Sequence, residues 1–440
     1  MTIIHPRSTV LPGIIAAVLG AMSAGHVDVA KAATLAVGNC NDSGPGSLRQ
    51  AVGLAASGDT VDLTSLACNR IILTGGAVDV PQRSLTVRGP GFNRLAVSGN
   101  YASSVFRHSG TGLLRLRGMA LEHGRQRGAE ALGGCVYSAG AVEANDMHVR
   151  HCGAYATTTF AMGGGIYARG GVKLLYSAVF ANAARGPASY GGGVWSGADL
   201  VVHRARLLKN VAGEGGGAFA SDGLKLSYAA VEGNRAFRNG GGVSSYHGSY
   251  GAQILNSTVS GNTAGTHGGG LSLNSSVDKM IISSTISGNT AASHAGARVN
   301  GNTTFANSTL AFNDNVNRSA CDGAVDAYGV LYLESTIAAS NTCNGAPSLD
   351  IHGDHPAFRV EGSNNLVTAS NVALPADTIS ADPLLEPLAA NGGRTRTHAL
   401  LGGSQAIDRG NNAAGLAYDQ RGQGYPRTNG ARADIGALER

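Results

Sequence analysis

A run of small residues, mostly glycine, recurs along the middle of the chain at steps of 24 to 30 residues, and this repeat limits the possible folds. The runs are Gly133-Gly134-Cys135, Gly163-Gly164-Gly165, Gly191-Gly192-Gly193, Gly215-Gly216-Gly217, Gly240-Gly241-Gly242, Gly268-Gly269-Gly270 and Ala295-Gly296-Ala297. An asparagine recurs in step with them, at Asn182, Asn210, Asn234, Asn262, Asn289 and Asn313. A period of this length is typical of solenoids, in which each repeat buries its apolar side chains by stacking on its neighbours.

Two apolar columns keep register with the asparagines. Three residues before each asparagine lie Val179, Leu207, Val231, Val259, Ile286 and Leu310. Eight residues before lie Leu174, Val202, Leu226, Ile254, Ile281 and Phe305, and five before lie the small residues Ser177, Ala205, Ala229, Ser257, Ser284 and Ser308. The alternation is strand-like, and the odd spacing between the apolar columns requires a bend. We therefore predict an all-β chain that forms one right-handed parallel β-helix, with the asparagine amides hydrogen-bonded in a ladder between coils about 4.8 Å apart.

The composition supports this fold, and the net charge limits the classes of binding partner that we expect. Of the 440 residues 66 are glycine, which suits many tight turns, and the 43% of hydrophobic residues argues against disorder. A formal charge of +5 is too small to predict nucleic-acid binding. We expect a monomer.

The N-terminus has the pattern of a secretory signal peptide over residues 1–32. Arg7 supplies a positive charge, residues 13–22 form a short apolar core, and Ala30-Lys31-Ala32 offers small residues for cleavage. The apolar run is short for a membrane span, so the mature chain is expected to be exported without a transmembrane segment.

Six cysteines in an exported chain predict disulfides. The sequence alone leaves 15 connectivities open. Pairing of neighbours is the simplest hypothesis, giving Cys40–Cys68, Cys135–Cys152 and Cys321–Cys343. The first and third pairs are separated by about one coil, whereas Cys135 and Cys152 are only 17 residues apart and fit less well.

The ends of a solenoid expose unpaired strands and need covers. Residues 47–57 have the pattern of a short amphipathic helix, with Ser47 as N-cap and with Leu48, Val52 and Ala55 on one face. We divide the mature chain into an N-terminal cap with the first coils (33–120), central coils (121–345), and C-terminal coils with a cap (346–440).

Stretches at both ends carry a family resemblance. Residues 42–52 (Asp-Ser-Gly-Pro-Gly-Ser-Leu-Arg-Gln-Ala-Val), 58–62 (Gly-Asp-Thr-Val-Asp) and 85–91 (Leu-Thr-Val-Arg-Gly-Pro-Gly) resemble the CSLREA-type segment of bacterial parallel β-helix repeat proteins. The C-terminal part is similar to the choice-of-anchor Q domain family, through residues 382–388, 391–393, 397–401, 403–408, 419–422 and 434–439. The resemblance implies a secreted or surface-exposed β-helix, but it implies no reaction and no catalytic residue. Members often continue into an anchor or repeat array after the last motif, whereas this sequence stops at Arg440.

Enzymes built on β-helices usually gather carboxylates on one outer face. The columns two and four residues before the asparagines contain only one carboxylate, that of Glu232. The densest polar cluster is Asp350-Ile-His352-Gly-Asp354-His355, whose spacing matches no metal motif and whose Gly353 and Pro356 indicate a loop. No catalytic residue, metal site or cofactor site is predicted.

Two functions remain open. The first is a non-catalytic exported β-helix that acts in cell-surface architecture, adhesion or glycan binding. The alternative is a polysaccharide lyase or glycoside hydrolase that acts outside the cell. Three or four carboxylates, or carboxylates with Arg or Lys, converging in one groove would favour the enzyme.

Overall fold

The chain forms a right-handed parallel β-helix. The computed structural model describes residues 32–246, 251–317 and 321–440, so the predicted signal peptide lies, apart from Ala32, outside the described residues. Strands of successive coils pair in parallel, which confirms the predicted fold class. Within the described residues, no helix is long and apolar enough to cross a membrane.

Two large sheets form most of the solenoid wall. Sheet A has 23 strands, which are Thr34–Ala36, Thr60–Asp62, Arg70–Ile72, Leu85–Arg88, Ala96–Ser98, Leu113–Glu122, Ala141–Arg150, Val172–Leu175, Ala178–Phe180, Leu200–His203, Arg206–Leu208, Leu224–Ser227, Ala230–Glu232, Ala252–Leu255, Thr258–Ser260, Lys279–Ile282, Thr285–Ser287, Thr303–Ala306, Thr309–Ala311, Val330–Glu334, Ile337–Ala339, Arg359–Ser363 and Leu366–Val367. Sheet B has 11 strands, which are Val78–Val80, Phe106–His108, Val136–Ser138, Ile166–Ala168, Val194–Ser196, Ala218–Ala220, Val243–Tyr246, Leu271–Asn274, Ala297–Asn300, Val325–Tyr328 and Ile351–His352.

Two smaller sheets complete the coils. Sheet C has ten strands, which are Arg125–Gly128, Gly153–Ala156, Ala183–Arg185, Val211–Ala212, Arg235–Ala236, Thr263–Ala264, Thr290–Ala291, Asp314–Asn315, Thr342–Cys343 and the antiparallel Ala346–Pro347. Sheet D has three strands, which are Ala131–Leu132, Phe160–Met162 and Ala188–Tyr190. The helix is Leu48–Leu54, and the Ser47 hydroxyl accepts a hydrogen bond from the Gln50 amide as predicted for an N-cap.

Both predicted apolar columns point into the core, where each of their members is at most 1% exposed. The bend between them lies within sheet A, at the column of small residues. There the Ser257 amide donates to the Ser284 hydroxyl of the next coil, at 3.1 Å. The serines of this column therefore hold the corner together through hydrogen bonds between coils.

The predicted asparagine ladder is confirmed. The Asn234 side-chain amide donates to Asn262 Oδ1 at 2.9 Å, and Asn262 donates in the same way to Asn289. Each amide also donates to a backbone carbonyl, as Asn262 does to Val231 at 2.9 Å. Every member is at most 1% exposed, so the ladder is a buried polar network whose hydrogen bonds are satisfied.

The glycine runs recur with the asparagines because the two pack together at a narrow part of the coil. A Cβ placed on Gly217 would lie 3.0 Å from the Asn234 amide carbon, and one on Gly216 would lie 2.5 Å from the Arg235 carbonyl carbon. The same narrow part of the coil explains how Cys135 and Cys152, which are less than one coil apart in the sequence, form a disulfide. Cys135 follows a glycine run and Cys152 precedes sheet C, and their Cα atoms are 5.4 Å apart.

The other cysteines form Cys40–Cys68 and Cys321–Cys343, so all six are paired as neighbours in the sequence.

Candidate functional site

One column of side chains runs along the outer face of sheet B and changes character on the way. Strand register places these residues in line, one per coil: Asp79, Arg107, Tyr137, Tyr167, Trp195, Phe219, Ser244, Ser272, Arg298, Asp326 and His352. We call it the sheet B column. Its middle part is aromatic and its C-terminal part is charged, so it joins an apolar surface to a cluster of ionisable groups.

The aromatic part is a stack that ends at Trp195. The rings of Tyr137 and Tyr167 are stacked with centroids 5.5 Å apart, and Tyr167 stacks on Trp195 at 4.6 Å. Phe219 is the next residue in register, but it packs against Tyr190 at 5.1 Å and Tyr246 at 5.8 Å instead. The stacking is therefore interrupted between Trp195 and Phe219, which leaves a gap between these two rings.

The opening is a cleft of about 530 Å³, within the range of small-molecule sites. It is lined by Phe160, Met162, Tyr190, Trp195, Glu214, Phe219, Ser221 and Tyr246. Coil length explains it, because the steps from Gly133 to Gly163 and on to Gly191 are 30 and 28 residues, whereas the step from Gly191 to Gly215 is 24. The longer coils carry the strands of sheet D, and the cleft lies where sheet D ends.

Glu214 brings a carboxylate into this mostly aromatic cleft. The residue is 7% exposed, and its Oε1 lies 3.4 Å from Arg238 Nε. Burial raises the pKa of the Glu214 carboxyl, and the nearby Arg238 charge opposes that shift. An aromatic wall with few polar groups is the usual composition of a ligand site.

The charged end of the column is a cluster of His294, Asp326 and His352, which we call the histidine cluster. A ligand-capable atom from each residue lies within 4.8 Å of those of the other two. His294 Nε2 lies 3.8 Å from Asp326 Oδ2 and 4.0 Å from Asp322 Oδ2. His267 stacks on His294 with ring centroids 5.7 Å apart.

Four polar atoms of the histidine cluster are buried without hydrogen bonds among the described residues. His294 is 7% exposed and Asp326 is 2% exposed. Among the described residues, neither ring nitrogen of His294 has a hydrogen-bond partner, nor do Asp326 Oδ1 and His352 Nδ1. Leaving such groups unsatisfied is costly, so the arrangement differs in kind from the asparagine ladder.

Burial also sets the charge state of the histidine cluster. It lowers the pKa of His294 to about 3, with Asp322 opposing the shift, so this imidazole is neutral at pH 7. Burial raises the pKa of Asp326 to about 6, with a further contribution from the Asp354 charge. Perturbed ionisable groups of this kind are concentrated at functional sites.

His294 occupies a position where the preceding coils have glycine. Gly191, Gly215, Gly240 and Gly268 have φ values between 60° and 65°, and His294 has φ of 53°. The left-handed region costs a residue with a Cβ atom energy that glycine does not incur. Positive φ also occurs at other bends of the solenoid, as at Tyr176 and Lys209, so His294 is set apart by its unsatisfied ring nitrogens rather than by its backbone.

Only one residue of the polar sequence 350–355 belongs to this cluster, namely His352. Asp350 is fully buried and accepts hydrogen bonds from the Asn341 side chain and from the backbone amides of Thr368 and Ala369. It therefore ends the asparagine ladder. Asp354 and His355 are exposed.

The outer columns of sheet A, which carry a single carboxylate in the sequence, are an internal contact surface. The C-terminal segment lies against them: Thr258 Oγ1 donates to the Arg396 carbonyl at 2.6 Å, and Thr285 Oγ1 donates to Gln420 Oε1 at 2.6 Å. His398 bonds Ser287, and Arg396 pairs with Glu232 at 3.2 Å. The absence of an acidic groove on that face therefore says nothing about a site on sheet B.

The same segment explains the buried polar residues among the C-terminal motifs. Gln420, Asp434 and Glu439 are at most 2% exposed, and Glu439 pairs with the buried Arg427 at 3.1 Å. These motif residues hold the segment in place.

Basic residues of the N-terminal half lie on more than one face of the solenoid. Arg117 pairs with Glu143 on sheet A at 3.0 Å, whereas Arg125 on sheet C lies over the Tyr155 ring at 5.4 Å. The groups are thus divided between faces and partly neutralised.

The sheet B column is not apparent in the sequence when the coils are aligned on the asparagines. Counting from the glycine runs would have found it, since Tyr137, Tyr167, Trp195 and Phe219 each lie four residues after the first glycine of a run. Strand register also shifts the last run by one residue, so that His294, and not Ala295, stands in the place of the first glycine, and this replacement is a second available signal.

The fold and this outer column define a parallel β-helix with a ligand-sized cleft. Among solved structures, the chain is similar to the crystal structure of pectate lyase Pel9A, at 12% identity and a TM-score of 0.41, over 93% of this chain and 97% of that chain. No protein-family model matches the chain, and no curated protein does.

Proposed function

We propose that the protein binds an extracellular glycan in the cleft beside Trp195. The observation that carries this proposal is the open end of the Tyr137–Tyr167–Trp195 stack, which leaves one indole face in a cleft of about 530 Å³. The C–H face of a sugar ring is apolar and weakly positive, so it packs well on the negative face of an aromatic ring. Glu214 and Ser221 supply acceptors for sugar hydroxyl groups.

The charge of the cleft favours a neutral glycan. Among the described lining side chains, Glu214 is the only acidic or basic residue, and its pairing with Arg238 leaves the cleft without a strong net charge to attract a polyuronate. A solenoid also presents its side chains at a regular interval of about 4.8 Å, which suits a linear polymer of repeating units. We therefore expect neutral polysaccharides to bind more tightly than acidic ones.

The proposed setting is the outside of the cell. Three disulfides are typical of an oxidising compartment. The signal-peptide pattern of residues 1–32 and the resemblance to the choice-of-anchor Q and CSLREA-type proteins support the same setting. Binding without turnover fits a role in adhesion or surface architecture.

Fluorescence offers a direct test, because Trp195 is the single tryptophan of the chain. Neutral and acidic polysaccharides are titrated into the mature protein while its tryptophan emission is recorded. We expect a saturable change with a neutral glycan. Phe219→Ala should weaken binding about tenfold, since an aromatic contact contributes on the order of 1 kcal/mol. Tyr176→Ala, which removes an exposed ring next to sheet A, is the matched control.

Two results would contradict the proposal. One is an emission that does not respond to any glycan for which the protein shows binding by calorimetry. The other is an equal loss of affinity in Phe219→Ala and Tyr176→Ala, because only the first residue lines the cleft.

A carbohydrate-active enzyme is the second candidate function. Arg298, Asp322 and Asp326 lie near one another at the end of the sheet B column, and this is the combination of carboxylates and a basic residue that such an enzyme needs. Measuring reducing ends and unsaturated products in the same titrations tests it. Turnover that Asp326→Asn abolishes would establish it, and turnover unchanged in that variant would place the chemistry elsewhere.

A further inference from the structure

We propose that His294, Asp326 and His352 bind one divalent transition-metal ion of the zinc type. This proposal concerns the histidine cluster alone and does not depend on glycan binding in the Trp195 cleft. It assigns a ligand to the one group of His, Cys, Asp and Glu side chains in the described residues whose atoms converge closely enough to share an ion.

Binding a zinc ion would require only small movements of the three side chains. Zinc bonds to nitrogen and oxygen are about 2.0–2.1 Å long, so two ligands of a tetrahedral ion lie about 3.3 Å apart. His294 Nε2 and Asp326 Oδ2 are already 3.8 Å apart, and all three ligand atoms lie within 4.8 Å of one another. Small side-chain rotations would close the remaining gaps. Asp322 Oδ2, at 4.0 Å from His294 Nε2, is available as a fourth ligand.

The three ligands come from successive coils and are held close by backbone packing. Asp326 and His352 are register partners on adjacent strands of sheet B. Gly323 permits this approach, because a Cβ there would lie 2.8 Å from the His352 backbone nitrogen. Two of the three ligands, Asp326 and His352, are therefore positioned by strands of the solenoid, and His294 lies at the turn that precedes Ala297–Asn300.

The unsatisfied nitrogen and oxygen atoms indicate a binding partner that accepts electron pairs, as a metal ion does. His294 is 93% buried, since it is 7% exposed, and among described residues both its ring nitrogens lack a hydrogen bond. Among the described residues, Asp326 Oδ1 is likewise buried and has no hydrogen-bond partner. Neutral imidazole nitrogens and a carboxylate are the forms that bind a metal ion.

The nearest arginine leaves the carboxylate free. Arg298 is the register neighbour of Asp326, yet the ion pairs of the described residues include none between them. The Arg298 guanidinium instead lies over the Tyr328 ring, 5.5 Å from its centroid. Arg298 therefore lies near Asp326 without forming an ion pair with it.

The donor set selects the class of metal. Two imidazoles and one carboxylate suit zinc and the other late first-row divalent ions, whereas calcium and magnesium prefer oxygen ligands. A three-residue set also leaves room for water or another ligand on the ion.

A second group of two histidines and a carboxylate provides a contrast. His123 lies 3.8 Å from Glu122 and stacks near His151, with ring centroids 5.9 Å apart. Glu122 is already paired with Arg70 at 2.9 Å and with Arg150 at 2.7 Å. Two cations at that carboxylate exclude a third, so His123 should not contribute to metal binding.

The experiment uses tag-free mature protein, treated with chelator and titrated with Co²⁺, whose visible absorption reports the ligand geometry. We expect one Co²⁺ per chain, displaced by equimolar Zn²⁺ but not by excess Ca²⁺. His294→Gly and His352→Gln should each weaken binding at least ~100-fold, because loss even of a group that only supports a ligand costs 10- to 100-fold. His123→Gln should bind as the parent does.

His294→Gly keeps the test valid if other substitutions at this site fail to fold, because it restores the residue found in the preceding coils. Circular dichroism checks that the variants retain their β structure. The absence of stoichiometric Co²⁺ binding would overturn the proposal. Binding that survives in either ligand variant, or that is lost in His123→Gln, or that Ca²⁺ abolishes, would overturn it as well.

Discussion

The asparagine ladder and the histidine cluster are both buried and polar, and both are built from residues of successive coils, yet they are opposite in hydrogen bonding. In the ladder, Asn262 donates to Asn289 and to the Val231 carbonyl and accepts from the backbone and side chain of Asn234. In the cluster, both ring nitrogens of His294 lack partners among the described residues.

The difference separates a folding element from a candidate site. A buried network with every hydrogen bond satisfied stabilises the solenoid and can repeat indefinitely along it. A buried group without partners destabilises the protein, so several such atoms gathered in one cluster indicate a second purpose. Both are polar and buried, so what distinguishes them is that the ladder repeats with its hydrogen bonds satisfied, whereas the cluster does not.

Removing one amide from the middle of the ladder should give the largest effect. Asn262→Ala removes hydrogen bonds to both neighbouring coils. The Asn234 backbone amide loses its acceptor, the Asn234 side-chain amide keeps only its bond to the Leu207 carbonyl, and the Val231 carbonyl loses a donor. We expect a loss of about 3 kcal/mol in the free energy of unfolding. The midpoint of chemical denaturation, followed by circular dichroism, measures it. An unchanged midpoint would mean that the ladder does not stabilise the fold.

A smaller loss is expected where the ladder ends. Asp350→Ala removes the acceptor of the Asn341 side chain and of the Thr368 and Ala369 amides. We expect a loss of about 2 kcal/mol in the free energy of unfolding, because the unsatisfied donors lie at the end of the solenoid and can reach water more easily. The same denaturation measurement applies. Asp354→Ala, at an exposed position nearby, is the control and should change little.

The smallest effect should have the opposite sign. His294→Gly relieves a left-handed backbone conformation and removes two unpartnered nitrogens, so the metal-free protein should gain about 1 kcal/mol in stability. The matched change, Gly268→Ala, should destabilise the protein, because its φ is 65° and the new Cβ would lie 2.2 Å from the Leu271 carbonyl oxygen. Thermal melts in the presence of chelator measure both. If His294→Gly melts at a lower temperature than the parent, the histidine serves the fold and the comparison fails.

Much of the architecture is already present in the sequence. The spacing of Val259 and Ile254 before Asn262 predicts inward positions and a bend, and those side chains are buried. The capping helix follows from Ser47 and the apolar face of residues 48–52. These features are predictable because each depends on residues at fixed short spacing, repeated in every coil, and stacking aligns such repeats without further information.

The candidate site depends on features that the repeat does not contain. Coil lengths vary, so the sequence alone does not show that Trp195 ends an aromatic stack or that His294, Asp326 and His352 converge across three coils. Nor does it show that the segment around Arg396 and Gln420 folds back over sheet A. The sequence by itself determined the solenoid, because stacking follows from local periodicity. Only the tertiary structure decided which outer face is covered and which irregular side chains meet, because those contacts join residues whose separation along the chain follows no period.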